Sequence, residues 1–206
     1  MSFGGPASLP GMRTLIVSNI ISLDGFVEGP NRDVMALPMD DAFNEHNAER
    51  LRNADTLLFG ATGYRLFEGF WPEVHKNPQM SPVVREISRM NNAIDKLLVS
   101  DTLKPDPASP WHATTRVVKR ADAHAAIREL KRGPGRDILM FGSRTLWNDL
   151  LSAGLVDELH FMIGAAVLGS GTPAFPVPCP QRLELLGTRT WPGSNNVLVR
   201  YRVGPR

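Results

Sequence analysis

Residues 137–175, "DILMFGSRTLWNDLLSAGLVDELHFMIGAAVLGSGTPAF", decide the fold. The four apolar positions after Asp137 read as a buried strand (137–142), and Gly142 closes it and opens a helix. In that helix Leu146, Leu150 and Leu151 form one apolar face, and Gly154 supplies the C-terminal stop. A further strand follows in "VDELHFMIG", and then the close glycine pair Gly169 and Gly171, which suits a tight turn or a close approach of backbone. A strand, a helix and another strand in this order form a crossover unit, which joins parallel strands.

Working outward, the same alternation recurs. "RTLIVSNII" (13–21) is a strand buried on both faces, and the turn-rich "SLDGFVEGPNRD" follows it. A helix is expected from about Pro38 to Arg52, a strand over 55–60, and a short helix from Thr62 that stops before Pro72. Residues 73–82 read as a loop, 81–92 as a helix, 96–100 and 114–118 as strands, and 122–132 as a helix ended by Gly133. The closing segments "VDELHFMIG", "RLELLGTRTW" and "NNVLVRYRV" are strands with no helices between them. The expected fold is a three-layer α/β/α sandwich, with a mixed, mostly parallel sheet and antiparallel C-terminal strands at one edge.

Composition narrows the function classes. The chain has 206 residues, 42% of them hydrophobic, enough for one substantial core. Residues 1–11, rich in Gly, Ser and Pro, read as a disordered arm or a cloning remnant, and 12–206 as a single domain. The formal net charge is +2, and the basic residues are scattered, against a nucleic-acid surface. No apolar run approaches the roughly 18 residues of a membrane helix. Cys179 is the single cysteine, which excludes an internal disulfide and a cysteine-rich zinc site and fits a cytoplasmic setting. The five histidines lack metal-binding spacing, and no G-x-S-x-G nucleophile elbow is present.

Three strand ends carry phosphate-friendly chemistry: "FGATGY" (59–64), "VSDTL" (99–103) and "FGSRTL" (141–146). A helix that starts just after a strand exposes backbone N–H groups to an anion, and open α/β sheets bind ligands at the carboxyl ends of their strands. None of the three has the G-x-G-x-x-G spacing of a Rossmann site.

The stretch "LPMDD" offers two carboxylates. Projection at about 100° per residue places Asp40, Phe43, Asn47, Leu51 and Ala54 within a sector of about 80°, with Asp41 about 160° from Phe43. Asp41 is then a solvated helix-end charge. Asp40 is either a proton donor on the core side or a second charge complementing the helix start.

Taken in order, "SLDGFVEG", "LPMD", "LLFGATGY", "KLLVSDTL" and the 137–175 block resemble the dihydrofolate reductase superfamily. Within it they resemble the reductase domain of the bifunctional riboflavin-biosynthesis enzyme, the RibD C-terminal type, over about Met12 to Val203. The resemblance implies a stand-alone, homodimeric, NADPH-dependent reductase acting on a small molecule. It implies that Gly60, Ala61, Thr62, Ser100, Thr102, Gly142, Ser143, Arg144, Thr145 and Leu146 line the cofactor; the family's glycine pair, here Gly142–Ser143, often contains a cis peptide, which if present marks the cofactor site. It places Asp40 in the substrate pocket as the acidic residue and Asp24 as support on the substrate side. Where the family has Gly-Arg-x-Thr this chain has Gly60-Ala61-Thr62-Gly63, so either Arg65, one turn on, replaces the missing charge or the preference for NADPH is weakened. "NNAIDK" lacks the arginine that would pair with a folate tail, and no zinc deaminase motif is attached. The implied substrate is therefore a pyrimidine- or pterin-like heterocycle or a carbonyl compound, with 5-amino-6-(5-phosphoribosylamino)uracil as one form. The alternative is a catalytically idle cofactor-binding or ligand-sensing protein on the same fold.

Overall fold

The computed structural model describes residues 12–176 and 180–204. The expectations for residues 1–11 and for Cys179 lie outside this range. The elements are β1 (Leu15–Ser22), β2 (Phe26–Glu28), α1 (Asp41–Asn53), β3 (Ala54–Gly60), α2 (Ala61–Val74), α3 (Pro82–Ala93), β4 (Asp95–Val99), β5 (Thr115–Val118), α4 (Ala123–Arg132), β6 (Asp137–Phe141), α5 (Arg144–Ser152), β7 (Glu158–Gly164), β8 (Thr172–Pro173), β9 (Leu183–Arg189) and β10 (Val197–Val203).

Eight strands form one sheet in the order β5-β4-β3-β6-β1-β7-β10-β9. The six from β5 to β7 are mutually parallel, and β10 runs antiparallel to both β7 and β9. The central strands are buried on both sides, which is why their sequences are apolar runs rather than alternations. On one face Leu15, Val17, Ile138 and Met140 pack with Ile127 of α4 and with Trp147, Leu150 and Leu151 of α5. On the other, Ile16, Leu57, Phe59 and Leu139 pack with Leu51 of α1, Tyr64 of α2 and Ile87 of α3. The expected three-layer sandwich is therefore observed, and no helix among the described residues is long and apolar enough to cross a membrane.

Three local expectations need correction. Helix α2 does not stop before Pro72 but runs through it to Val74. A proline this close to a helix end removes only one late hydrogen bond, and α3 satisfies freed carbonyls: Ser88 Oγ donates to the Trp71 carbonyl at 2.6 Å and Asn92 Nδ2 to that of Pro72 at 3.0 Å. Helix α1 begins at Asp41, not Pro38. The turn-rich stretch after β1 contains the short strand β2, which pairs with β8 to form a separate two-stranded ribbon.

Candidate active site

At the carboxyl end of the sheet, the neighbours β3 and β6 send their chains to opposite faces. After Gly60 the chain enters α2 on one side, and after Phe141 it enters α5 on the other. A switch point is where open α/β sheets place their ligands, and here two helix N-termini start side by side.

The two starts are unusually close. Ser143 Oγ accepts a hydrogen bond from the Gly60 amide at 3.0 Å. A Cβ on Gly63 would overlap that same hydroxyl, so a larger residue at the first turn of α2 would displace the Ser143 side chain. The turn into α5 is built from two consecutive left-handed residues, Gly142 (φ 55°) and Ser143 (φ 52°). The described residues contain no cis peptide, and the left-handed pair redirects the chain. Leu146 lies behind Ser143, also within reach of Gly60. Gly60, Ser143 and Leu146 are thus brought together, with Thr62 and Thr145 exposed at the two helix starts.

Beside β3, β4 ends at Val99, opposite Gly60. Ser100 is buried, and its hydroxyl accepts from the amides of Thr102 (3.3 Å) and Leu103 (2.9 Å), leaving the Thr102 side chain exposed. Ser100 therefore shapes this third strand end through its turn. Arg65 lies one helical turn beyond Ala61 and is exposed.

Asn19, on β1, was not singled out by sequence reasoning. Its Oδ1 accepts from the Gly142 amide at 2.7 Å, which fixes the orientation of the carboxamide and leaves Nδ2 shielded from solvent without a hydrogen-bond partner. An unpaired shielded donor is costly, and here it borders the crevice where β1–β6 pairing ends at Ser18–Phe141. Register between strands 120 residues apart creates this feature, so no local motif announces it.

The two expected acidic residues lie farther along the sheet. Asp24 accepts from the amides of Leu168 (3.1 Å) and Gly169 (2.7 Å), tying the β1–β2 turn to the loop after β7. The Ser22 hydroxyl and then these amides hold its carboxyl well below the usual range, at about 2, so it is a fixed anion and not an acid near neutrality. The Gly169–Gly171 turn is a close approach, since a Cβ on Gly171 would overlap the Glu28 carbonyl. Arg144 Nη1 donates to the Pro173 carbonyl of that segment at 3.2 Å, joining the start of α5 to the same wall.

Asp40 is the N-cap of α1. Its Oδ1 accepts from the Phe43 amide at 3.1 Å, and its Oδ2 from the Ser194 hydroxyl at 2.5 Å. Nearby, Asn196 Nδ2 donates to the Pro38 carbonyl, so the "LPMD" segment is pinned near β7 and the β9–β10 connection. Asp40 is half-buried and Asp41 exposed, the contrast that the helical projection expects. β7 lies three strand positions from β3, about 14 Å at about 4.8 Å per strand. The acidic and phosphate-friendly groups thus occupy opposite ends of one rim. A cavity of about 370 Å³ at Ser152–Gly154 and Asp157 lies elsewhere, near the amino end of β7.

The uncharacterized protein YyaP of Bacillus subtilis (strain 168) is 28% identical over 181 residues, which cover 87% of this chain and 89% of that protein. A putative riboflavin biosynthesis protein from Shewanella sp. PV-4 has the same fold, with a TM-score of 0.65 and 18% identity over 93% of this chain and 99% of that one. The Thermotoga maritima diaminohydroxyphosphoribosylaminopyrimidine deaminase/5-amino-6-(5-phosphoribosylamino)uracil reductase shares it too, at a TM-score of 0.64 and 13% identity, covering 93% of this chain and 57% of that longer one. The sequence also matches the RibD C-terminal domain over residues 13–198, and the chain belongs to that family.

Proposed function

We propose that the protein is an oxidoreductase that uses NADPH to reduce a C=N or C=O bond in a small heterocyclic, pyrimidine- or pterin-like, or carbonyl substrate. One observation carries this reading: the β3 and β6 strand ends, bridged by Ser143 and Gly60, present two helix N-termini within a single crevice. The reductase named in the Thermotoga maritima protein supports it, as does membership of the family. The compound 5-amino-6-(5-phosphoribosylamino)uracil, which that name contains, is one substrate form consistent with it.

The residues present fit a dinucleotide. The amides of Ala61, Thr62, Arg144 and Thr145 open two helices, and Gly63 lets the two helix starts meet through Ser143. When bound, the nicotinamide supplies the hydride. The chain's own work is then to position and to protonate. Amides at the starts of α2 and α5 would hold pyrophosphate oxygens, with the Thr62 and Thr145 hydroxyls beside them. Ser100 and Thr102 bound the adenosine side, and Arg65 replaces the missing arginine at the 2′-phosphate. Asp24 and Arg144 hold the substrate wall through the Gly169–Pro173 segment. The proton comes from Asp40 or from an ordered water. The exposed Leu183, Leu185 and Val197 on the two outer strands support assembly as a homodimer.

The commitment of both Asp40 oxygens to capping and to Ser194 favours a second reading, a protein that binds the cofactor without turnover. Oxidation of NADPH in the presence of a panel of pyrimidines, pterins, imines and carbonyl compounds separates the two. Turnover of a panel member supports the reductase, and tight NADPH binding with no turnover supports the idle protein.

A further inference from the structure

A second polar site lies on the sheet face beneath α1, away from the crevice. A cavity of about 220 Å³ between α1 and strands β9 and β10 is lined by His46, Glu49, Arg50, Arg189 and Arg200, among others. Three guanidinium groups and a buried imidazole converge there against a single lining carboxylate. That carboxylate is committed, since Glu49 takes both of its hydrogen bonds from Arg189 Nη1, at 2.8 and 2.9 Å. Arg189 is also stacked over Trp191, its guanidinium carbon 4.1 Å from the ring centre.

Arg50 and Arg200 are different, because neither has an ion-pair partner among the described residues. Arg50 lines the cavity, and its Nε makes no hydrogen bond among the described residues. Arg200 lies across Gly187, where a Cβ would come within 3.3 Å of its Nη2. Other carboxylates face this region from the neighbouring strands: Glu158 of β7, hydrogen-bonded to His160 at 2.8 Å, and Asp137 of β6. Neither lines the cavity. The positive field is felt locally, since burial first, and then His160 and all three arginines, push the His46 imidazole down to about 3.

We propose that this cavity binds a tetrahedral dianion of the phosphate type, free or as a phosphomonoester, through Arg50 and Arg200. Paired guanidinium forks match tetrahedral oxyanions through charge-assisted hydrogen bonds. At about 30 Å³ per water molecule the volume equals roughly seven waters, room for an oxyanion and a small ester group. The site is independent of the reductase reading.

Isothermal titration of the full chain with inorganic phosphate, with glycerol 3-phosphate and with sodium chloride at matched ionic strength tests it. The expected result is saturable one-to-one phosphate binding, absent with chloride and weakened at least tenfold in Arg50→Gln and in Arg200→Gln. Arg200→Lys, which keeps the charge but loses the fork, should bind more weakly than wild type and more tightly than Arg200→Gln, and the NMR signals of His46 should move on binding. Tighter binding of the ester identifies a phosphomonoester ligand, and tighter binding of the inorganic ion identifies free phosphate. No saturable binding, or binding that survives both glutamine variants, overturns the proposal; so does binding that instead falls in Arg144→Gln, which would place the ion at the start of α5.

Discussion

The Ser143 hydroxyl accepts a hydrogen bond from the Gly60 amide at 3.0 Å, and it does so from 83 residues away in sequence. This bond closes the gap between the β3 and β6 ends and sets how far apart the two helix starts stand.

Gly63 makes that closeness possible, so Gly63→Ala should destabilise the protein by about 1–3 kcal/mol, the range for overpacking a tight contact. Ser143→Gly in the same chain removes the clashing hydroxyl and tolerates the left-handed backbone, so the double variant should regain most of the loss. Urea unfolding of the two single variants and the double one checks this. Additive losses would show that Gly63 is needed for some other reason.

Asp40 can be separated into cap and acid. Asparagine caps helices about as well as aspartate, so Asp40→Asn should keep stability within a few tenths of a kcal/mol, whereas Asp40→Ala should cost about 1 kcal/mol. If the carboxyl delivers the proton, Asp40→Asn abolishes turnover and spares cofactor binding. Unchanged turnover in Asp40→Asn across pH 5 to 8 would assign the proton to water.

His46 predicts an acid-sensitive fold. Its imidazole is held at about 3 in the folded chain, mainly by burial, against an ordinary value of 6.5. Between these two values the unfolded chain binds more protons at this group, so its contribution to stability rises with pH across that window and is lost as pH falls through it. His46→Gln should flatten the stability curve between pH 3 and 6.5 relative to wild type. Parallel curves would mean that His46 does not titrate on unfolding.

Arg65 tests cofactor choice. If it holds a 2′-phosphate, Arg65→Ala should lower the NADPH-over-NADH affinity ratio by about tenfold or more, since a hydrogen bond to a charged group contributes about 1.5–3 kcal/mol. An unchanged ratio would remove Arg65 from the site.

Much of the architecture was legible because it is written locally. The parallel core strands are apolar runs, and Gly142, Gly154 and Gly133 mark where elements end. What was not legible is set by contacts across the sheet. Asn19 gains its role from Gly142, Gly63 from Ser143, and the His46 cavity from strands β9 and β10. The reading of Asp40 as a core-facing helical residue shows another limit. Helical periodicity holds only inside a helix, and Asp40, with φ −83° and ψ −170°, is the extended residue just before it. Its cap partner at Phe43 follows from local sequence, but Ser194 is 154 residues away.

The central claim is that the crevice between β3 and β6 holds a reduced nicotinamide dinucleotide. Titration with NADPH and NADH, followed by quenching of tryptophan fluorescence, tests it most directly, because Trp147 lies three residues into α5 from Arg144. Saturable quenching by NADPH, weakened when Gly63 is replaced by alanine, is the predicted result; binding of neither nucleotide would contradict the account.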